Sequence, residues 1–125
     1  MQKRENGSVE VINAGTLAEV EVDTATATGN LDIYPGDANA EVYVLTHDLS
    51  GNVNVGINVR NARKGMVARV VRNSATPGAL TVTVKSGTAA AGSTLGRAIA
   101  ASRNGWVEAK FDGTAWICIG MAEYT

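Results

Sequence analysis

The stretch NGWVEAKFDGTAWICIG, residues 104–120, decides the fold class. Its pattern predicts one β-hairpin, because two apolar runs flank Asp112-Gly113, a dipeptide typical of two-residue type I′ turns. Both central residues of such a turn need a positive φ, which Gly adopts freely and Asp tolerates. No other segment has comparable apolar bulk, and both tryptophans of the chain, Trp106 and Trp116, lie here. We therefore expect this hairpin to be the main apolar element of a β-protein.

Short segments in which apolar and polar residues alternate precede the hairpin, as expected for half-buried strands. They lie at residues 8–12, 16–22, 31–34, 40–46, 52–60, 66–72 and 79–84. In the clearest of them, Val53, Val55, Ile57 and Val59 are predicted to point inward, and Asn52, Asn54, Gly56 and Asn58 outward. Residues 86–102 fit a strand, a short helical turn or a loop, and the sequence does not decide among these.

This pattern predicts an all-β fold, an antiparallel β-sandwich or jelly-roll-like domain of about ten short strands with little helix. A parallel α/β fold is disfavoured because no helical periodicity separates the strands. No fixed-period repeat is visible. With 125 residues, of which 45% are apolar, the chain fits a single domain over residues 8–125 after a polar, flexible tail at residues 1–7.

Targeting and redox features are few. No apolar segment follows the charged N-terminus, so we expect no signal peptide. No run of about 18 apolar residues predicts a membrane span. Cys118 is the only cysteine, which excludes an internal disulfide, and its apolar neighbours favour a buried, inert thiol.

Charge is distributed unequally along the chain. Residues 1–59 contain nine acidic and two basic residues, whereas residues 60–125 contain nine basic and three acidic residues. The two halves either neutralise each other within one fold or form complementary surfaces between subunits or on a larger assembly.

Candidate catalytic and metal-binding groups are sparse. His47 is the only histidine and is expected in a loop, and no nucleophile motif accompanies it. One His and one Cys do not make a common zinc site. The segment 92–97, GSTLGR, lacks the Gly-Lys-Ser/Thr ending of a phosphate-binding loop. We therefore predict no enzymatic activity, no catalytic residue, no cofactor and no metal.

The basic residues of the second half form a candidate interaction surface with a subunit or a capsid. They are Arg60, Arg63, Lys64, Arg69 and Arg72. Such a cluster also suits phosphate groups, but no aromatic residue lies between these bases to stack on nucleotides. Nucleic acid is thus an unlikely partner, and a solvated or subunit-facing edge is the preferred interpretation.

Two segments together carry a resemblance to a known family. The run PGALTVTV, residues 77–84, leads through a Gly/Ala/Thr-rich loop to NGWVEAKFDGTAW, residues 104–116. This order of motifs resembles that of phage virion proteins, in particular trimeric capsid decoration (cement) proteins and the head domains of tail fibres or tail spikes. The resemblance covers roughly residues 65–120.

The resemblance implies a non-enzymatic β-domain that assembles as a homotrimer, binds the major capsid protein on the capsid surface and stabilises the capsid. Such a protein is made in the host cytoplasm and is located in the virion. A chain that starts at Met1 and lacks a long repetitive shaft suits a decoration protein better than a whole fibre. The alternative is a receptor- or glycan-binding head of a tail fibre or spike, for which Trp106 and Trp116 are the candidate exposed aromatic residues.

Overall fold

The computed structural model describes residues 18–22, 29–38, 40–46 and 51–124. These residues form nine β-strands: β1 (Ala18–Val22), β2 (Gly29–Ile33), β3 (Ala40–Leu45), β4 (Val53–Ile57), β5 (Val67–Arg72), β6 (Val82–Ser86), β7 (Ser93–Thr94), β8 (Asn104–Phe111) and β9 (Trp116–Tyr124). No helix occurs among them, and the all-β prediction is confirmed. The predicted tail at 1–7, the strand at 8–12 and His47 lie outside the described residues.

The strands form two sheets, and the first six strands alternate between them. The first sheet has the order β1-β3-β5-β8-β9, and the second has the order β2-β4-β6-β7. β1, β3 and β5 are mutually parallel, as are β2, β4 and β6. The later pairs, β5-β8, β8-β9 and β6-β7, are antiparallel. The chain is therefore wound as a coil that adds one strand to each sheet per turn, and it ends with antiparallel strands.

The prediction of antiparallel pairing is wrong for the first six strands. A parallel pair needs a long return connection, which is usually a helix. Here the return connection contains a strand of the opposite sheet, so parallel pairs form without any helix. The strands β1, β3 and β5 begin at residues 18, 40 and 67, and this unequal spacing gives the coil no fixed sequence period.

One hydrophobic core lies between the two sheets. Its buried members come from both, with Val55 and Val84 from the second sheet and Val70 and Val107 from the first. Parallel register aligns the side chains of successive turns, so that Val55 pairs with Val84 and Tyr43 with Val70. Burying each such aliphatic side chain contributes about 1.5–3 kcal/mol. The coil is thus stabilised by stacked layers of similar side chains.

The hairpin predicted from residues 104–120 is confirmed as β8 and β9, but its apolar residues divide between two faces. Phe111 and Trp116 are buried, and their ring centroids lie 5.2 Å apart. Ile117 and Ile119 are 48% and 51% exposed. Trp116 occupies the inward position of β9, and the register shifts between Glu108 and Ala109. Because neighbouring residues of a strand point to opposite faces, Ile117 then faces outward.

The turn of this hairpin differs from the prediction. Four residues, 112–115, separate β8 from β9, so the connection is not a two-residue type I′ turn. Gly113 has a φ of 106°, as predicted, but Asp112 has no positive φ. Instead, the Asp112 carboxylate accepts hydrogen bonds from the backbone N–H groups of Thr114 and Ala115, both at 2.8 Å. These bonds lower the pKa of Asp112.

Replacing Gly113 by valine is expected to lower the free energy of unfolding by about 1–3 kcal/mol, since a β-branched residue is strained at this φ. A Cβ at this position meets only Lys64 at 3.9 Å, so strain rather than a clash sets the effect. Urea unfolding measures it, with Gly78→Val as control, because Gly78 has open space around it and no positive φ. Equal unfolding midpoints for Gly113→Val and the wild type would contradict the positive φ assigned to Gly113.

Residues 86–102, which the sequence left undecided, are mostly loop. They contain the end of β6, the two-residue strand β7 and a single bridge between Ile99 and Val82. Within the loop, the Gly92 N–H donates to the Thr88 carbonyl at 2.7 Å. Leu95 and Ile99 belong to the core, whereas Ala89 is buried against Gly56, so this loop also covers the outer face of β4.

Candidate interaction surface

The structure separates the five predicted interface residues into three environments. Arg60, Arg63 and Lys64 are exposed on the connection between β4 and β5, at residues 59–65, hereafter the basic turn. Arg69 lies half-buried on β5, and Arg72 is buried at the end of the same strand. The first three are therefore brought together as predicted, and the other two are not part of that surface.

The basic turn is held against the loop at residues 34–38 by side-chain contacts. The Arg60 guanidinium lies 2.5 Å from the Asp37 carboxylate and 4.2 Å from the centre of the Tyr34 ring. Asn61, whose φ is 56°, donates its side-chain N–H to the same carboxylate at 2.6 Å. A Cβ on Gly36 would overlap the Arg60 carbonyl, so glycine is needed for the loop to approach this closely.

Backbone hydrogen bonds also connect the basic turn to the hairpin. The N–H of Gly65 donates to the Phe111 carbonyl at 2.8 Å, and the N–H of Phe111 donates to the Met66 carbonyl at 2.8 Å. Within the turn, Met66 N–H donates to the Arg63 carbonyl at 2.9 Å. The turn is therefore ordered from both sides although its basic side chains are exposed, and Arg60 is 62% exposed despite its ion pair.

The hydrogen bonds from Asn61 and Arg60 lower the pKa of Asp37 below its usual value near 3.8. A carboxylate whose pKa is lower in the folded state stabilises the fold above its unfolded pKa, and this contribution disappears as the pH falls through the folded value.

We therefore expect Asp37→Asn to be less stable than the wild type at neutral pH, with a difference that shrinks as the pH falls below about 3.8. Urea unfolding at several pH values measures the difference, and an NMR titration of the Asp37 carboxyl measures its pKa directly. A titration midpoint at or above 3.8 would contradict the contacts described.

Arg69 lies on the outer face of the first sheet, away from the basic turn. Its guanidinium forms a 3.0 Å ion pair with Glu108, the residue opposite it on β8, and lies 5.3 Å from the centre of the Trp106 ring. The ion pair neutralises the charge of Arg69 locally. A partly exposed ion pair of this kind contributes about 0–1 kcal/mol to the free energy of unfolding. Arg69 therefore orders the outer face and is not a free cation for a partner.

Arg72 is 0% exposed, and its assignment to an interaction surface is wrong. Its guanidinium donates to the carbonyl oxygens of Leu80 at 2.6 Å and Gly78 at 3.3 Å. The alternation Ala68, Val70, Arg72 places all three on the inner face. The two-residue periodicity of β5 could have predicted that Arg72 faces inward, but both faces of the strand are apolar in sequence, which obscured the pattern.

The prediction that Trp116 is exposed is also wrong. Its ring is 1% exposed, and the indole N–H donates to the Asn58 carbonyl at 3.1 Å. Trp106 is half-buried on the outer face, where its ring lies over Gly120, since a Cβ there would come within 3.1 Å of it. One partly accessible tryptophan therefore stays on the surface.

Some predictions of burial in and just after β4 are wrong, partly because a loop covers the outer face of the second sheet. Val53, Val55 and Ile57 are buried as predicted, whereas Val59 is 45% exposed beyond the strand end. Gly56 and Asn58, predicted to point outward, are buried.

A second surface, which sequence reasoning missed, lies beside the basic turn. It is a shallow groove of about 390 Å³ lined by Lys64, Lys110, Ile117 and Ile119, hereafter the apolar–basic patch, with Asp112 at its edge. Neither lysine forms an ion pair within the part of the chain that the structure describes. The sequence contains no signal for this patch, because Trp116, Ile117 and Cys118 are all apolar and strand geometry only places Ile117 on the face opposite Trp116.

The described residues contain no group of three or more His, Cys, Asp or Glu side chains that could hold a metal ion. Cys118 is half-buried rather than fully buried. The segment 92–97 includes the strand β7 and opens no helix.

In the ranges 18–22, 29–38, 40–46 and 51–124, no helix is long and apolar enough to cross a membrane. Comparison with known proteins matches the chain to no family model, to no curated protein and to no solved structure.

Proposed function

We propose that this chain is a non-enzymatic structural protein of a bacteriophage virion, which binds the outer surface of the capsid as a homotrimer and stabilises it. In this proposal the two sheets act as a β-sandwich scaffold, and the partner is the major capsid protein. The observation that carries the proposal is the ordered basic turn, which adds to the resemblance of residues 65–120 to decoration proteins.

The order of the basic turn matters because binding by a flexible loop costs conformational entropy. Immobilising one long side chain costs about 0.5–1.5 kcal/mol. Arg60 is already held by Asp37 and Tyr34, and the backbone around Arg63 is closed by its own hydrogen bond to Met66. A pre-ordered surface with exposed cations fits a rigid acidic surface, for which complementary charge gives specificity and fast association.

Binding to purified, expanded capsids that lack decoration tests this proposal. We expect the chain to bind them and to raise their melting temperature. Arg63→Glu should weaken binding by at least about tenfold, equivalent to about 1.4 kcal/mol, because it reverses an exposed charge that forms no ion pair in the described residues. Lys85→Glu, on β6 of the second sheet, is the matched control and should bind like the wild type. Absence of binding by the wild-type protein would reject the proposal.

A receptor- or glycan-binding head of a tail fibre is the second candidate, and partly accessible Trp106 favours it. Aromatic rings in such sites offer a face to the ligand. The Arg69 guanidinium lies near this ring and Trp116 is buried, so the candidate depends on Trp106 alone. Binding to a glycan array that is lost in Trp106→Ala would support it.

A further inference from the structure

The two outermost strands of the first sheet differ in charge. In the described residues β1 occupies one end of this sheet and β9 the other. Outermost strands expose unpaired backbone groups and can add a strand from another chain. The residues along these two strands therefore decide which partner is accepted.

The β9 side is apolar and basic. Ile117 and Ile119 are each about half exposed, and Lys110 is opposite Ile117 on β8. Lys64 lines the same groove, together with Asp112, whose carboxylate interacts electrostatically with Lys64 and accepts hydrogen bonds from Thr114 and Ala115. Neither lysine forms an ion pair within 4 Å of a carboxylate among the described residues. Two large aliphatic side chains beside two cations suit a partner strand that combines aliphatic and acidic residues.

The β1 side has that composition within the same molecule. Its sequence is Ala-Glu-Val-Glu-Val, with two glutamates in five residues and no basic residue. Glu19 and Glu21 are in register with Val42 and Val44 of β3. The two ends of one sheet are thus complementary in charge, which accounts for part of the unequal charge distribution along the sequence.

We propose that the apolar–basic patch and β9 of one copy dock on β1 of a second copy. This inference rests on the proposed function, which requires self-association, and it identifies the two surfaces that form the contact between copies. β1, β3 and β5 are parallel, and β8 and β9 each reverse direction, so β9 and β1 run the same way. A contact that continues the sheet from one copy into the next in the same orientation pairs parallel strands and joins unlike surfaces. This is a head-to-tail arrangement, and the proposed homotrimer requires its rotation to close into a ring.

Charge also argues against the two-fold alternatives. A symmetric contact between two β9 ends brings together two copies of the pair Lys64 and Lys110. A symmetric contact between two β1 strands brings together two copies of the pair Glu19 and Glu21. Like charges across an interface cost free energy, so the unlike pairing is favoured.

Charge-swap variants test the contact, with the mass in solution measured by size-exclusion chromatography with light scattering. We expect the wild type to be a multiple of 12.9 kDa. Lys64→Glu/Lys110→Glu should be monomeric, and so should Glu19→Lys/Glu21→Lys. The quadruple variant that combines them restores complementarity and should recover the wild-type mass. Lys85→Glu, on β6 of the second sheet, reverses a charge outside both surfaces and should keep the wild-type mass.

The inference is overturned by a monomeric wild type, by an oligomer unaffected by the charge reversals, or by a quadruple variant that is folded but monomeric. Circular dichroism of each variant distinguishes loss of contact from loss of fold. The proposed function fails separately, if an oligomeric wild type does not bind capsids. Loss of oligomers in Lys64→Glu/Lys110→Glu with no effect of the β1 substitutions indicates a two-fold β9 contact and also rejects the head-to-tail arrangement.

Discussion

Replacing Trp116 by alanine is expected to lower the free energy of unfolding by about 3–5 kcal/mol, the range typical of deleting a buried aromatic side chain. Trp116 is the largest fully buried side chain among the described residues. Its ring contacts Phe111, and its indole N–H bonds to the Asn58 carbonyl at the end of β4, so one side chain connects both sheets. Alanine leaves a cavity and also leaves that carbonyl without this donor.

Chemical denaturation followed by circular dichroism measures this effect, since the substitution removes a main fluorophore. Trp116→Phe is the informative intermediate, because it keeps most of the ring and loses the hydrogen bond, and it should cost less than the alanine variant. Trp106→Ala is the matched control, since it removes the same side chain from the half-buried outer face. If Trp106→Ala is as destabilising as Trp116→Ala, the difference in burial assigned to the two residues is contradicted.

Replacing Gly56 by alanine is expected to cost about 3 kcal/mol, at the upper end of the usual range for overpacking. A Cβ at Gly56 would overlap the backbone nitrogen of Ala89 and lie 2.7 Å from Asp32 Oδ1. That oxygen accepts hydrogen bonds from the Ala89 N–H at 2.8 Å and from the Asn58 side chain at 3.2 Å. The methyl group therefore displaces the loop that covers the outer face of β4 and weakens these bonds.

Gly78→Ala is the control for Gly56→Ala, because an added Cβ at Gly78 has nothing within 4 Å. We expect it to be neutral or slightly stabilising, since alanine reduces the freedom of the unfolded chain. Urea unfolding of both variants gives the comparison. Near-equal stabilities would mean that the segment around Ala89 does not pack on β4 as described.

Local sequence patterns determined the element type and most of the elements. Alternation with period two located six of the nine strands to within about three residues, and Asp112-Gly113 located the hairpin. These signals are local because each depends on neighbouring side chains or on one backbone angle. The predicted positive φ of Gly113 was confirmed for the same reason.

Within the candidate interaction surface, the sequence correctly predicted only the residues that lie on a loop. Arg60, Arg63 and Lys64 follow the end of β4, and side chains on an exposed turn are accessible in almost any fold. Arg72 was misplaced because it ends a strand whose inner face is buried by the opposite sheet. A charged residue in a strand can be solvated or hydrogen-bonded inside, and only its distant partners decide between these outcomes.

By itself, the sequence determined that this chain forms β-strands, where most of them lie and where the cations of the basic turn are exposed. Only the tertiary structure decided that the first six strands pair in parallel, that Trp116 is buried while Ile117 and Ile119 are exposed, and that β1 and β9 occupy the two ends of one sheet. The physical reason is that pairing direction, register and the covered face depend on contacts between residues far apart in the chain. No single strand contains the information about which strand becomes its neighbour.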